Sequence, residues 1–186
     1  APGAADWSTI AIAGTRADTP AAAQLDSAVQ ALSAGSIITA LGVDATDPAA
    51  AAGNAVWDSA GLYLQTRPTG NGATLLMCTL FNNLGGNASS VTISYDLAKL
   101  LTVTEEVDGH RAYYSLSGAA GSWTLIPEFS TASPGRLSAT LSITLPGATS
   151  LYVVWASHNG QGGGAHVAAV EVVLELGFLH GRDKLA

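Results

Sequence analysis

The chain has 186 residues, of which 48% are hydrophobic and only 11% are charged, against about 25% charged in an ordinary globular protein. This excludes an intrinsically disordered chain, which combines low hydrophobicity with high charge. The 7 basic and 14 acidic residues give a formal net charge of −7 and form no Lys/Arg cluster, which excludes a nucleic-acid partner held through phosphate contacts.

The length fits a single domain, and we assign residues 1–182 to one β-sandwich domain. Residues 183–186 look like read-through into a cloning vector and are assigned to a tail. Because the chain begins with Ala1, we interpret it as a mature or trimmed product. No run approaches the roughly 18 uncharged apolar residues of a membrane span, so none is predicted. The low charge is typical of extracellular β-sandwiches and favours a secreted or cell-surface location.

Two short helices are predicted near the start of the chain. Thr19 is expected to cap a helix that begins at Pro20 and ends at Gly35. Its buried face is predicted to carry Leu25, Val29 and Leu32. Asp47-Pro48, followed by four alanines, predicts a second helical turn.

Period-two patterns dominate the rest of the chain and predict nine or ten strands. In 137–145, apolar residues alternate with Ser and Thr, which predicts one face in a core and one in water. The segment 151–155 is apolar on both faces and predicts a central strand. Asp108-Gly109 is a strong hairpin signal. The other predicted strands are 61–67, 73–81, 91–95, 100–107, 111–116, 122–126 and 167–174.

Strands at this spacing predict the fold class: all-β, an antiparallel two-sheet β-sandwich (jelly roll) with one or two short helices. Cys78 lies in the apolar run 73–81 and is interpreted as a small buried hydrophobe. As the single cysteine, it excludes a disulfide framework.

No cofactor and no metal ion are predicted. The chain has neither a His-Glu-x-x-His motif nor a calcium loop, and we interpret His158 and His166 as exposed loop histidines. The glycines of 160–165 fit a dinucleotide fingerprint. However, a second parallel strand and an acidic residue about 20 positions further on do not follow, so this segment is interpreted as a loop.

Carboxylates are the strongest enzymatic signal, although no catalytic residue can be assigned. Glu106, Asp108 and Glu128 are candidates for the acid/base pair of a glycosidase, whose two carboxyl groups lie about 5–10 Å apart. Glu105 and Glu106 point to opposite faces of a strand and cannot both serve one site. The alternative interpretation is a set of surface charges at a hairpin tip. A serine-hydrolase Gly-x-Ser-x-Gly motif is absent.

Aromatic residues are numerous enough to line a platform for a sugar or another polymer, since flat rings bury apolar sugar surface. Trp155 is expected in the core, and Tyr113 and Tyr114 are expected to point to opposite sides. Trp123 follows Gly121-Ser122 at a strand start and is the best candidate for an exposed ring. The predicted ligand-binding residues are Trp123, Tyr113, His158 and Asn159. The aromatic set also includes Trp7, Trp57, Tyr63, Tyr95 and Tyr152.

The segments 91–96, 111–118, 121–127 and 151–160 resemble a family of bacterial extracellular jelly-roll modules. Such modules occur in anchored surface proteins and beside secreted hydrolases. The resemblance covers roughly residues 60–160 and implies a β-sandwich accessory module without established chemistry. The acidic closing strand of that family has no counterpart, because 160–176 contains no aspartate. The roles of those acidic residues are therefore not carried over.

Two functions follow as hypotheses. The first is a secreted module that binds carbohydrate or another cell-surface polymer without catalysing a reaction. The alternative is a small extracellular hydrolase, a glycosidase using Glu106, Asp108 or Glu128 in acid/base roles. A structural role in a larger surface assembly is a third possibility.

Overall fold

Strands make up about half of the described chain. The computed structural model describes residues 3–12, 22–69, 72–98, 110–131, 133–158 and 173–177. The helical elements are α1 (Ala22–Gln30) and two 3-10 helices, Ala4–Asp6 and Ala34–Ser36. The strands are β1 (Trp7–Ile12), β2 (Gly42–Asp44), β3 (Val56–Asp58), β4 (Tyr63–Gln65), β5 (Ala73–Phe81), β6 (Ser90–Leu97), β7 (His110–Ser115), β8 (Thr124–Thr131), β9 (Gly135–Leu141), β10 (Ser150–His158) and β11 (Val173–Gly177).

The described strands form three hydrogen-bonded sheets. A five-stranded antiparallel sheet has the order β1-β5-β10-β7-β8, and a three-stranded antiparallel sheet has the order β11-β6-β9. The third sheet, β2-β3-β4, pairs β2 with β3 in parallel and β3 with β4 antiparallel. The all-β prediction is confirmed, while the finer two-sheet jelly-roll arrangement stays a prediction.

β5 and β10, two inner strands of the five-stranded sheet, are buried on both faces. β5 has the same bounds as the predicted strand 73–81, and β10 contains the predicted central strand 151–155. Along β5, Leu76 and Cys78 enter one core, whereas Leu75 and Met77 enter another. We call these the inner core and the helix-side core. Burial on both faces explains why neither strand alternates between apolar and polar residues.

The inner core lies between the five-stranded sheet and the β11-β6-β9 sheet. β6 and β9 bury Ile93, Tyr95 and Ala139 against Trp155 of β10. On the outer face of this second sheet, the hydroxyl groups of Thr92 and Thr140 lie 2.9 Å apart. The predicted strand 137–145 ends earlier than expected, at Leu141. The prediction that the apolar side chains of this segment face a core is confirmed, because they lie in the inner core or pack against it.

The helix-side core is covered by α1, whose Leu25 and Val29 are buried as predicted and whose neighbour Leu32 packs against the same core. The predicted end at Gly35 is wrong, because α1 ends at Gln30. The Gly121 N–H from the turn between β7 and β8 donates to the Gln30 carbonyl at 2.7 Å and satisfies this helix end. The predicted start at Thr19 and Pro20 lies outside the described residues.

The helical turn predicted after Asp47-Pro48 is not formed. Asp47-Pro48 is a cis peptide bond in a bend, and no helix is assigned to residues 45–55. The Asp44 carboxylate accepts the backbone N–H groups of Thr46 and Ala50 at 2.9 and 3.0 Å. A short acidic side chain that bonds nearby backbone groups competes with helix formation, which explains the loop.

Several predicted elements lie wholly or partly outside the described residues. The strand 100–107, the Asp108-Gly109 hairpin and the tail 183–186 belong to this group. Of the predicted strand 167–174, the described part falls in β11, which pairs with β6. Within the described ranges, no helix has the length and apolar character that crossing a membrane requires.

Candidate functional site

Trp123 lies in the helix-side core and is only 4% exposed. Its indole Nε1–H donates to the Leu32 carbonyl at 2.8 Å, and the Gln30 side-chain amide donates to the Trp123 carbonyl. The prediction of an exposed Trp123 is therefore wrong. The turn between β7 and β8 folds against the end of α1, and this contact removes the ring from solvent.

Tyr113 is also buried, at 1% exposure, and faces the helix-side core. Its hydroxyl donates to Asp26 Oδ1 at 2.5 Å. Burial, together with the Asp26 carboxylate, raises the pKa of the Tyr113 hydroxyl. Tyr113 and Tyr114 do point to opposite sides, as predicted, but Tyr114 packs against the inner core rather than standing free in solvent. The burial of Tyr113 contradicts its predicted role on an accessible platform.

His158 is the last residue of β10 and is buried, so its interpretation as an exposed loop residue is wrong. It shares the helix-side face with Val154 and Ala156, because residues two apart in a strand point the same way. Asn159 and His166 lie outside the described residues. The structure thus places Trp123, Tyr113 and His158 on one face of the sheet, but inside the protein.

Of the carboxylates considered for hydrolysis, only Glu128 is described. It is exposed on β8, at the edge of the five-stranded sheet. Glu106 and Asp108 lie outside the described residues, so the paired-carboxylate hypothesis stays a prediction. In the described part of the chain, no three His, Cys, Asp or Glu side chains are grouped so that they could hold a metal ion.

An aromatic cleft lies elsewhere, where β1 meets the β2-β3-β4 sheet. The Trp7–Trp57 cleft has a volume of about 600 Å³. Val43, Trp57 and Leu64 are direct cross-strand neighbours on β2, β3 and β4 and form one wall. Among the described residues, no charged or hydrogen-bonding side chain apart from the two indoles lines it. The lining residues are Ala4, Ala5, Trp7, Ala40, Leu41, Val43, Trp57 and Leu64.

Both tryptophan side chains pack against the inner core, which holds them in place. Trp7 begins β1 and packs on Trp155, with ring centroids 5.9 Å apart. Trp57 is half-buried against the inner core. Next to it, the buried Asp58 accepts the backbone N–H groups of Ala60 and Gly61 through Oδ1, at 2.9 and 2.7 Å. These hydrogen bonds hold the pKa of Asp58 below its usual range, and the bond from Gly61 has the largest effect. They also close the turn between β3 and β4.

A second cleft adjoins the first and has a volume of about 470 Å³. We call it the Ser8–Tyr152 cleft. It lies beside the 3-10 helix Ala34–Ser36 and includes three side-chain hydroxyl groups, those of Ser8, Thr79 and Tyr152. Ala4, Ala5, Trp7 and Ala40 line both clefts. The remaining lining residues are Ala34, Gly35, Ile37, Ile38 and Met77.

A buried polar pair lies behind the Trp7–Trp57 cleft. The Tyr95 hydroxyl and His110 Nε2 are 2.5 Å apart, and Tyr95 packs edge-on against Trp155 with ring centroids 5.8 Å apart. Burial lowers the pKa of His110 to about 4 and raises the pKa of Tyr95. This pair has no signal in the sequence, because nothing in the spacing of the two residues indicates that β6 and β7 bring them together.

Comparison with known proteins finds no match to a protein-family model and no match to a curated protein. Function is therefore inferred from the clefts themselves. The sequence analysis included Trp7 and Trp57 among the aromatic residues suited to a platform but did not select them. The only available signal was their side-chain type, since the cleft forms only when β1 and β3 meet in the fold.

Proposed function

We propose that this protein is a binding module, without catalytic activity, whose Trp7–Trp57 cleft holds a carbohydrate or a similar uncharged polymer. The observation that carries the proposal is the pair of half-buried tryptophans on one cleft, whose described lining residues are all uncharged. Concave sites lined mainly by apolar and aromatic side chains are typical of ligand binding.

The chemistry of the lining favours a ligand with flat apolar faces. Sugar rings present C–H surfaces that stack on indole rings, and burial of an aromatic side chain contributes strongly to binding. The Trp155 contact and the cross-strand row of Val43, Trp57 and Leu64 hold the two tryptophans before any ligand arrives. A preformed site loses less side-chain freedom on binding, which supports a ligand-binding role.

Charge favours a neutral ligand. The chain carries a formal net charge of −7, which repels polyanions, and the described part of the cleft lining offers no cation to offset that repulsion. A cationic ligand would find no carboxylate among the described lining residues either. An uncharged polysaccharide meets neither obstacle.

The test is retention on insoluble neutral polysaccharides, namely cellulose, chitin, xylan and mannan, measured by depletion of the protein from solution. We expect the wild-type chain to be retained on at least one of them, and Trp57→Ala to lower its affinity about tenfold or more. Leu84→Ala is the control, because Leu84 is an exposed apolar residue outside both clefts. Circular dichroism verifies that each variant is folded.

Two results would contradict the proposal. One is a folded wild-type chain that is retained on none of the four polymers. The other is a folded Trp57→Ala variant retained as well as the wild type.

A further inference from the structure

We infer that the two clefts form one groove for a linear, neutral oligosaccharide chain that passes Trp7 and ends in the Ser8–Tyr152 cleft. The inference rests on the proposed function and adds the length and orientation of the ligand. Its first support is that the clefts are continuous, since Ala4, Ala5, Trp7 and Ala40 line both. Three of these four residues are alanines, whose small side chains leave room for a chain to pass.

The groove runs around an edge of the five-stranded sheet. β1 is an edge strand, and its successive residues Trp7 and Ser8 point to opposite sides. Trp7 packs with the inner core, while Met77 and Tyr152 in the second cleft belong to the helix-side core. A ligand that occupies both clefts must therefore bend around the end of β1. A chain of several units with rotatable linkages can do this, whereas one flat ring cannot.

The two clefts differ in hydrogen-bonding capacity. The Ser8–Tyr152 cleft contains three hydroxyl groups, and Thr79 and Tyr152 are direct cross-strand partners of β5 and β10. Within the described residues, the side-chain hydroxyls of Ser8, Thr79 and Tyr152 make no hydrogen bond to another protein group. Such groups are available to a ligand, and hydroxyl–hydroxyl pairing is the interaction that a neutral sugar offers.

One cleft is aromatic and the other carries hydroxyl groups, and this difference indicates how such a chain is oriented. The Trp7–Trp57 cleft receives the flat face of one sugar ring, and the hydroxyl groups of a later ring pair with those of the Ser8–Tyr152 cleft. None of the described residues that line either cleft carries a charge, so the groove suits an uncharged chain. Ile38 and Val43, which are 75% and 73% exposed, line the second and the first cleft respectively and extend the apolar surface of the groove.

The test is isothermal titration of the full chain with cello-, chito-, xylo- and manno-oligosaccharides of two to six units. For the series that binds, we expect the affinity of the wild type to rise at least tenfold from the shortest to the longest chain. Thr79→Val and Tyr152→Phe each remove one hydroxyl with little change of shape. Each is expected to lower the affinity for the hexasaccharide about three- to tenfold, as expected for one lost hydrogen bond, and to lower that for the disaccharide less.

Trp57→Ala separates the two proposals, because it should weaken binding of every chain length. Affinity that does not depend on chain length would overturn the continuous groove and leave the proposed function standing. Wild-type affinity for the hexasaccharide in both Thr79→Val and Tyr152→Phe would do the same. Absence of binding at every length in the folded wild type would overturn both proposals.

Discussion

The guanidinium of Arg111 on β7 donates two parallel hydrogen bonds to the carboxylate of Asp26 on α1. The distances are 2.6 Å from Nε to Oδ1 and 3.0 Å from Nη2 to Oδ2. Tyr113 donates to the same Oδ1 at 2.5 Å, so the carboxylate accepts from two side chains of one strand. A bidentate arginine–carboxylate pair fixes geometry as well as charge. This contact anchors α1 over the helix-side core and thereby keeps Trp123 and Tyr113 from solvent.

Asp26→Asn is expected to destabilise the protein by about 1–3 kcal/mol, because it leaves a largely buried guanidinium without its counter-ion. Arg111 and Asp26 are 16% and 36% exposed at the side chain. The control is Asp96→Asn, which breaks the ion pair with Arg136, exposed by 57% and 48%. Exposed pairs contribute about 0–1 kcal/mol. The free energy of unfolding is measured by urea denaturation, and equal losses in the two variants would contradict the anchoring role of Asp26.

Gly118→Ala is expected to destabilise the protein more than Gly121→Ala, although both glycines lie in the turn between β7 and β8. Both have positive φ angles, +65° and +77°, which cost an alanine about 1–2 kcal/mol. Only at Gly118 would the added Cβ meet neighbours, Ala34 Cβ at 2.7 Å and a Tyr152 ring carbon at 3.0 Å, whereas nothing lies within 4 Å at Gly121. Urea denaturation of both variants measures the difference. A smaller loss in Gly118→Ala would show that the turn does not pack against the 3-10 helix Ala34–Ser36.

His110 is expected to make stability depend on pH between 6.5 and 4. Its pKa is about 4 in the folded protein, below its ordinary value of 6.5, because burial opposes its charged form. In this range the unfolded chain binds a proton that the folded protein does not. Stability therefore falls as the pH is lowered, by at most about 3 kcal/mol. The pKa values of Asp44 and Asp58 are lowered from 3.8. The stability that these two carboxylates contribute to the folded protein is therefore lost only when the pH drops below 3.8.

Denaturation curves for wild type and His110→Gln across this pH range measure the effect. The slope should diminish in His110→Gln and persist in Tyr95→Phe, which removes the hydrogen-bonded hydroxyl but retains the buried imidazole. Parallel stability profiles of the wild type and His110→Gln would contradict the expectation.

Cys78 is expected to be unreactive in the native state. It is fully buried in the inner core, and burial raises the pKa of its thiol, so the reactive thiolate is scarce at pH 8. Ellman's reagent at pH 8 should label it slowly without denaturant and stoichiometrically in 6 M guanidinium chloride. Fast labelling of the native protein would show that Cys78 is not buried in the inner core.

The strands that the sequence predicted best are those whose neighbours fill both faces. The apolar run 73–81 has the same bounds as β5, and the apolar run 151–155 lies within β10. β1, β2 and β3 were missed. β2 and β3 span only three residues each, too few for a period to show. In β1, Ile10 and Ile12 face the helix-side core while Trp7 faces the inner core, so the strand does not alternate simply between apolar and polar.

The candidate site was harder to predict than the fold, because it depends on contacts between distant parts of the chain. The position of Trp123 after Gly121-Ser122 predicted a strand start correctly, with β8 beginning at Thr124. Exposure of the ring could not be read from that position, since Leu32 lies 91 residues earlier and supplies the hydrogen-bond acceptor. For the same reason, the pairing of Trp7 with Trp57 across one cleft has no local signature.

The central claim is that ligand binds at Trp7 and Trp57 and not at the buried Trp123. The most direct test follows the four tryptophan indole N–H signals by NMR while the best-binding neutral oligosaccharide is added. Trp7→Phe, Trp57→Phe and Trp123→Phe assign the signals of these three residues. We predict that the signals of Trp7 and Trp57 shift with saturation, while the Trp123 signal, hydrogen-bonded to the Leu32 carbonyl, stays in place. A saturating shift of Trp123 with Trp7 and Trp57 unmoved would contradict the account.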